Sequence, residues 1–390
     1  MGFRDRCHCF WLALLVFFSV PRLVTAGEIV QYFPADGQEA NRDTQWRVVW
    51  GIESHAGGSK VLYIKEAFFS RARGEREIKV LGDSRLAEIF VPYNGGTRIY
   101  DISGFNFSLI DLMRGDLGPG CIKPGQIYAA NGNPASTGPV AVEIHDDHLR
   151  WMNTAASTGR SRRGQNLLIW SVLGAGNYRY IMLYIFRDDG QVGFRLGATA
   201  HNLFSSNSDN TTHLHSGCWR VNIELGNQAN TSVSKVRLDT MQLKTIVESI
   251  DKEQRIPWQL DQFTRLRIAS TTVKNTHDPA SYIGYELLPW SSGVGHYFGT
   301  GEKFTQNEFW VIRDAALPEL RCRDLDTYER GESLTGGKPV LWHLAAVNHT
   351  ARDEDFGKVG YNAGEGVAIT AWAGFDLKPR SFFGSTPLYP

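Results

Sequence analysis

Short apolar or alternating runs recur along the chain, each bounded by Gly, Asp, Asn or Pro. They fall at 61–64, 87–91, 166–172, 178–186, 191–196, 219–225 and 309–312. Runs of that length and period predict strands rather than helices. Arg187-Asp188-Asp189-Gly190 separates two of them and reads as a hairpin turn. The 178–186 run is apolar on both alternate faces apart from Arg179, which predicts a strand enclosed between two layers. One helix is expected at 241–250, where Met241, Ile246 and Ile250 can share a face. No repeat, Pro/Gly/Ser-rich linker or charge block divides residues 27–390. The pattern predicts one all-β domain, a large β-sandwich.

Composition supports that reading. The 390 residues include 40 Gly, 11 Trp, 14 Tyr and 21 Phe, a balance that favours strands and turns. Basic and acidic side chains number 41 each, so no bulk electrostatic attraction to nucleic acid is available. The first 26 residues read as a secretory signal peptide: Arg4 and Arg6, an eleven-residue apolar stretch from Phe10 to Val20, and Ala26 at the cut. That stretch falls short of the ~20 residues a membrane anchor needs. Cleavage would remove Arg4, Arg6, Arg22 and Asp5, leaving 364 residues with net charge −2. Cys7 and Cys9 would leave as well. Cys121, Cys218 and Cys322 remain, allowing at most one disulfide. Asn106, Asn210, Asn230 and Asn348 begin Asn-x-Ser/Thr sequons, glycosylation candidates in a secreted chain.

The histidines carry the first chemical signal. His213-Leu214-His215 places two imidazoles on one face of a strand, where they can share a metal ion. Alone, such a pair is most often two ordinary strand histidines. A third ligand must come from far away in sequence: His343, His349, His145 or His148, among which spacing does not choose. Asn177-Tyr178 opens the apolar strand, where a Tyr is more often core than catalyst. Asp101 follows Arg98-Ile99-Tyr100; it suits either a turn cap or a base of raised pKa.

Taken together and in order, these segments resemble the catalytic domain of copper amine oxidases, enzymes whose topaquinone cofactor forms from one of their own tyrosines. Leu86-Ala87-Glu88-Ile89-Phe90-Val91-Pro92-Tyr93 resembles the stretch before that family's catalytic base. Asn177-Tyr178 resembles the core of its cofactor motif, and His213-Leu214-His215, with Arg220 following, its first two copper ligands. Ile283-Gly284-Tyr285-Glu286-Leu287 resembles a later strand. Trp342-His343 followed by His349-Thr350-Ala351-Arg352-Asp353-Glu354-Asp355-Phe356 resembles its W-H…H-x-P-R-x-E-D-W.

The resemblance implies a Cu(II) site of His213, His215 and His349, with His343 a nearby non-ligand. It makes Tyr178 the topaquinone precursor, Asp101 the base, Tyr93 a hydrogen-bond partner of the ring, and Asn177 part of the cofactor motif. It further implies oxidation of a small-molecule primary amine by O2 to an aldehyde, ammonia and hydrogen peroxide, in a secreted homodimer. Departures accompany the matches. Gly174 and Arg179 stand where the family has a Thr and an acid, and Glu143 stands where it has a Cys that would pair with Cys121. If Arg179 faced the pocket it would either repel a cationic amine or hold an anionic substrate group; strict alternation from Tyr178 turns it away. Gly174 and the charge reversal at Arg179 motivate an alternative: a copper-binding member that no longer oxidises amines and performs another oxidative or cyclising step. A noncatalytic sandwich that binds a ligand or partner is the third reading.

Overall fold

The computed structural model describes residues 25–35, 43–54, 58–93, 96–153, 160–200, 213–259, 262–290, 297, 299, 301–314, 321–349, 352, 355 and 367–385. Nearly all of the 1–26 leader expected from the sequence lies outside them, as do Asn210, Ala351 and Phe356. Two large antiparallel sheets make the fold. The first has ten strands, and its path runs Thr25–Phe33, Thr44–Ser54, Lys60–Ser70, Ser84–Pro92, His213–Val221, Pro339–His349, Asn307–Arg313 and Gln254–Pro257. The second has twelve. Its centre runs Cys121–Tyr128, Val140–Asn153, Arg160–Ala175, Tyr178–Arg187, Val192–Ala200, Ala368–Arg380 and Tyr282–Pro289, and its far edge Arg265–Lys274, Thr231–Asp239 and Lys244–Ile250. Among the described residues, α-helix is limited to the single turn Leu325–Tyr328.

The sheets pack face to face through large side chains. Trp219 of the first sheet meets Tyr184, Phe194 and Phe375 of the second at ring-centroid distances of 5.9, 5.6 and 6.0 Å. All four are fully buried, and each such side chain contributes about 1.5–3 kcal/mol through removal from water. The all-β sandwich expected from the periodicity is therefore present.

Three local expectations need correction. The 241–250 segment is no helix. Asp239 Oδ1 accepts the backbone N–H groups of Met241 and Gln242, both at 3.0 Å, which closes a turn. Lys244–Ile250 then returns as a strand, Asp239 opposite Lys244. Thr245, Ile246 and Val247 are β-branched, and Met241 is 95% exposed, so no apolar helical face exists to bury. The 178–186 strand is buried on one face only: Tyr178, Tyr180, Met182, Tyr184 and Phe186 point inward, while Ile181, Leu183 and Ile185 stay half-buried. Last, the strand read at 219–225 ends at Val221, and only an isolated bridge from Ile223 to Leu81 continues it.

Among the described residues, Cys218 and Cys322 form a disulfide across 104 residues, and Cys121 is free. Closing a loop of that length restricts the unfolded chain by up to about 4.7 kcal/mol. Replacing both Cys218 and Cys322 by Ala is expected to cost about 2–5 kcal/mol. Urea unfolding of the paired variant measures it, and an unchanged midpoint would show that the cross-link is dispensable.

Candidate active site

Tight turns in the chain set the site. Residues Gly176 and Asn177 alone join the Arg160–Ala175 and Tyr178–Arg187 strands, since Ala175 pairs with Tyr178. Gly176 has φ of +60°, while Asn177 is not among the positive-φ residues. Gly at the first central position is what a type II′ hairpin requires. The turn fixes Tyr178 as the first inward-facing residue of its strand, and alternation repeats that direction at Tyr180. Asn177 stays half-buried in the turn.

On the facing sheet, His213 and His215 share the inner face of the His213–Val221 strand. The neighbouring strand, Pro339–His349, is registered so that His349 lies directly opposite His213. Three imidazoles therefore converge, each at most 4% exposed. His213 Nε2 is 3.0 Å from His215 Nε2 and 3.3 Å from His349 Nδ1. All three ligand atoms lie within 4.8 Å of one another. Burial and the two other imidazoles push His215 well below its ordinary pKa, and burial lowers His349. Both are neutral, as ligands must be.

This donor set fits a transition-metal ion. Imidazole nitrogens about 2.0 Å from a common ion stand about 2.8–3.5 Å apart, a range that includes the two distances above. Without an ion or a proton between them, facing nitrogen lone pairs repel. Tyr180 strengthens the fit: its hydroxyl donates to Asp101 Oδ2 at 2.7 Å and lies 3.2 Å from His215 Nδ1. A proton on that Nδ1 leaves the Nε2 lone pair aimed into the triad.

Tyr178 completes the cluster. Its hydroxyl is 2.7 Å from His213 Nε2 and 3.3 Å from His349 Nδ1. Tyr93, just past the Ser84–Pro92 strand, hydrogen-bonds Tyr178 and stacks on His213 with ring centroids 4.6 Å apart. Burial and the neighbouring Tyr93 raise the Tyr178 phenol far above its ordinary pKa, so it is protonated in the metal-free state.

Asp101 is also inside. The short strand Arg98–Tyr100 returns along Ser84–Pro92, and Asp101 N–H donates to Ile89 O at 2.9 Å. The buried Glu88 carboxylate accepts from Ile89 N, Ile102 N and Ser103 N, and from the Ser103 hydroxyl, pinning the turn that presents Asp101. Burial raises Asp101 from 3.8 to about 7, against the lowering effect of the Tyr180 hydrogen bond.

Six of the seven site residues read from the sequence thus converge: Tyr93, Asp101, Tyr178, His213, His215 and His349. Asn177 lies in the adjoining turn. Of the other histidines considered, His343 is buried six residues from His349 on the same strand, about 20 Å away at strand rise. Its Nδ1 meets Glu308 O at 3.2 Å, and burial holds its pKa at about 3. His145 and His148 lie on Val140–Asn153 of the other sheet. Arg179 points away from the pocket; its guanidinium donates to Gly176 O and Tyr178 O, both at 2.9 Å. Gly174 pairs with Arg179 across the hairpin and shares its outer face. Tyr180 and Glu88 were not singled out from the sequence. The i+2 relation of Tyr180 to Tyr178 was the available signal for the first.

Fold and site together define a β-sandwich protein with a buried cluster of three histidines, able to hold a metal ion, facing a tyrosine and a carboxylate. A family profile described as the copper amine oxidase enzyme domain matches residues 79–389, and the chain belongs to that family. A primary amine oxidase from Klebsiella aerogenes is 26% identical over 297 residues, 62% of this chain and 37% of that one. Primary amine oxidase 2 from Arabidopsis thaliana is 21% identical over 412 residues, 91% of this chain and 59% of that one. Among solved structures, a copper-containing benzylamine oxidase from Hansenula polymorpha superposes with TM-score 0.65 at 15% identity, covering 87% of this chain and 59% of that chain. Pichia pastoris lysyl oxidase superposes with TM-score 0.65 at 18% identity, covering 89% and 53%. The chain spans less than two thirds of each of these relatives.

Proposed function

We propose that this chain is a copper- and topaquinone-dependent oxidase of primary amines. It converts RCH2NH2, O2 and water to RCHO, ammonia and hydrogen peroxide. The observation that carries the reading is the Tyr178 hydroxyl, in hydrogen-bond range of two of the three converging imidazoles. His213, His215 and His349 would hold Cu(II), and Tyr178 is the side chain placed for oxidation beside it. When bound, copper and the quinone supply electron transfer from the amine to O2.

The chain's own residues do the rest. Asp101 is the base that takes the proton from the carbon bearing the amine, and its pKa near neutrality suits that task. Tyr180 holds its carboxylate through Oδ2. Tyr93 hydrogen-bonds the Tyr178 oxygen and fixes the ring's orientation. Burial of all three keeps bulk water from competing. The outward placement of Arg179, whose guanidinium donates to Gly176 O and Tyr178 O, supports amine oxidation over the altered-chemistry reading, which keeps Gly174 as its other motive.

Secretion through the 1–26 leader belongs to the same proposal. Asn106 is exposed and open to glycosylation, while Asn230 and Asn348 are half-buried. A homodimer would use the half-buried apolar outer face around Ile181, Leu183, Trp170 and Trp372.

The test is direct. Metal-free protein given Cu(II) in air should develop a visible quinone absorption, and phenylhydrazine should label the peptide containing Tyr178. Copper uptake with no label at Tyr178 would sink the proposal.

A further inference from the structure

A second group of metal-ligating side chains converges far from the histidine triad. It lies on the other sheet, between the strands Cys121–Tyr128 and Val140–Asn153. Irregular register between these strands brings Cys121 opposite His145. Glu143 precedes His145 by two residues and shares its face. Cys121 Sγ lies 3.5 Å from His145 Nε2, and Glu143 Oε2 lies 2.8 Å from the same nitrogen. All three donor atoms are within 4.8 Å of one another. Counting along the paired strands, nine residues separate this row from the Tyr178 row, about 30 Å at strand rise.

The arrangement does not suit nucleophilic catalysis. A catalytic acid orients its histidine through Nδ1 while the nucleophile uses Nε2. Here the thiol and the carboxylate meet the same nitrogen. An ion at their common focus satisfies all three. Tetrahedral zinc bonds, about 2.3 Å to sulfur and about 2.0–2.1 Å to nitrogen or oxygen, separate S from N by about 3.5 Å and N from O by about 3.3 Å. The first separation is already present. The second is shorter here, as a proton shared between Glu143 and His145 would make it.

The surroundings are built to the same end. Gly118 N–H donates to Glu143 Oε1 at 2.7 Å, leaving Oε2 for the focus, and Gly118 O accepts from Cys121 Sγ at 3.1 Å. A Cβ on Gly118 would stand 3.0 Å from His145 Cε1 and 3.5 Å from Glu143 Oε2, so backbone fits over the cluster where a side chain would crowd it. The His145 side chain is 25% exposed and that of Glu143 6%, which leaves a solvent side for a fourth, water ligand.

We propose that Cys121, Glu143 and His145 form a zinc(II) site that clips the two strands together. The thiolate and carboxylate neutralise the dication, and binding releases the thiol proton and requires His145 Nε2 to present its lone pair.

The experiment uses the full chain with its copper triad loaded, then cobalt(II) as an optical probe and zinc(II) for stoichiometry. Cobalt should produce near-ultraviolet thiolate-to-metal absorption, which zinc then displaces. The histidine triad has no sulfur and gives no such band. Zinc at one hundred times its Kd should favour the folded state a further hundredfold. Cys121→Ser should abolish the cobalt band and weaken zinc binding at least tenfold, with copper content unchanged. The absence of a thiolate band in the unaltered protein, which needs no variant to fold, would overturn the proposal. So would equal zinc content in the unaltered protein and the Cys121→Ser and His145→Gln variants.

Discussion

His349→Ala is expected to weaken copper binding by about two to three orders of magnitude, and quinone colour and amine turnover should fall with it. His349 supplies one of three convergent nitrogens, and no other histidine among the described residues lies near enough to replace it. Metal sites with four protein ligands bind with about 10–16 kcal/mol, so one ligand carries on the order of 3–4 kcal/mol. Its loss lowers affinity by two to three orders of magnitude. The Tyr178 hydroxyl also loses a neighbour at 3.3 Å. His343→Ala is the matched control: same residue type, same strand, same face, about 20 Å along. It should keep its copper, whatever it loses in stability. Equilibrium dialysis with copper analysis decides, and wild-type affinity in the His349 variant would reject the ligand assignment.

Asp101→Asn should leave copper content and quinone colour intact while kcat/KM falls by about 10²–10⁴, the usual worth of a positioned base. The pH profile gives a second, independent reading. Burial raises Asp101 to about 7, so its basic form is present above neutrality and lost below. Turnover should therefore rise with pH through about 7 and level off, and the asparagine variant should lack that limb. Stability runs the other way. A carboxyl whose pKa is raised on folding contributes stability that is fully present below pH 3.8 and lost as pH rises through about 7. Initial rates by peroxide detection across pH 5–9 test the first statement. Equal turnover by the two proteins at pH 8 would remove Asp101 from the mechanism.

What the sequence made legible follows strand parity. His213 and His215 were readable as a pair because i and i+2 share a face. The outward direction of Arg179 followed from Tyr178 in the same way. Parity relates Tyr178 to Tyr180 by the same rule. The third ligand is a different kind of fact. His343 and His349 have the same parity on one strand, and only the pairing of His213 with His349 separates them. Register across 136 residues has no local signature, so resemblance to a family chose where spacing did not. The misread segment at 241–250 has the opposite cause. Three apolar residues at loose helical spacing outweighed a strong turn former, Asp239, and a β-branched run after it. The apolar outer face of the Tyr178 strand shows a further limit: apolar residues do not by themselves guarantee a covering layer.

The pairing of His213 with His349 also sets an order of events as the protein matures. Contacts this distant in sequence form late, after the chain has met the entropic cost of closing long loops. The metal site does not exist until the two strands lie side by side, so copper has nothing to template in the nascent chain. On the proposed reading, folding would come first, metal second and oxidation of Tyr178 third. Interactions made only after the folding barrier is crossed act on the rate of escape from the native state. Copper bound there would be a lock fitted to a finished structure, slowing its loss while leaving its formation to the sheets.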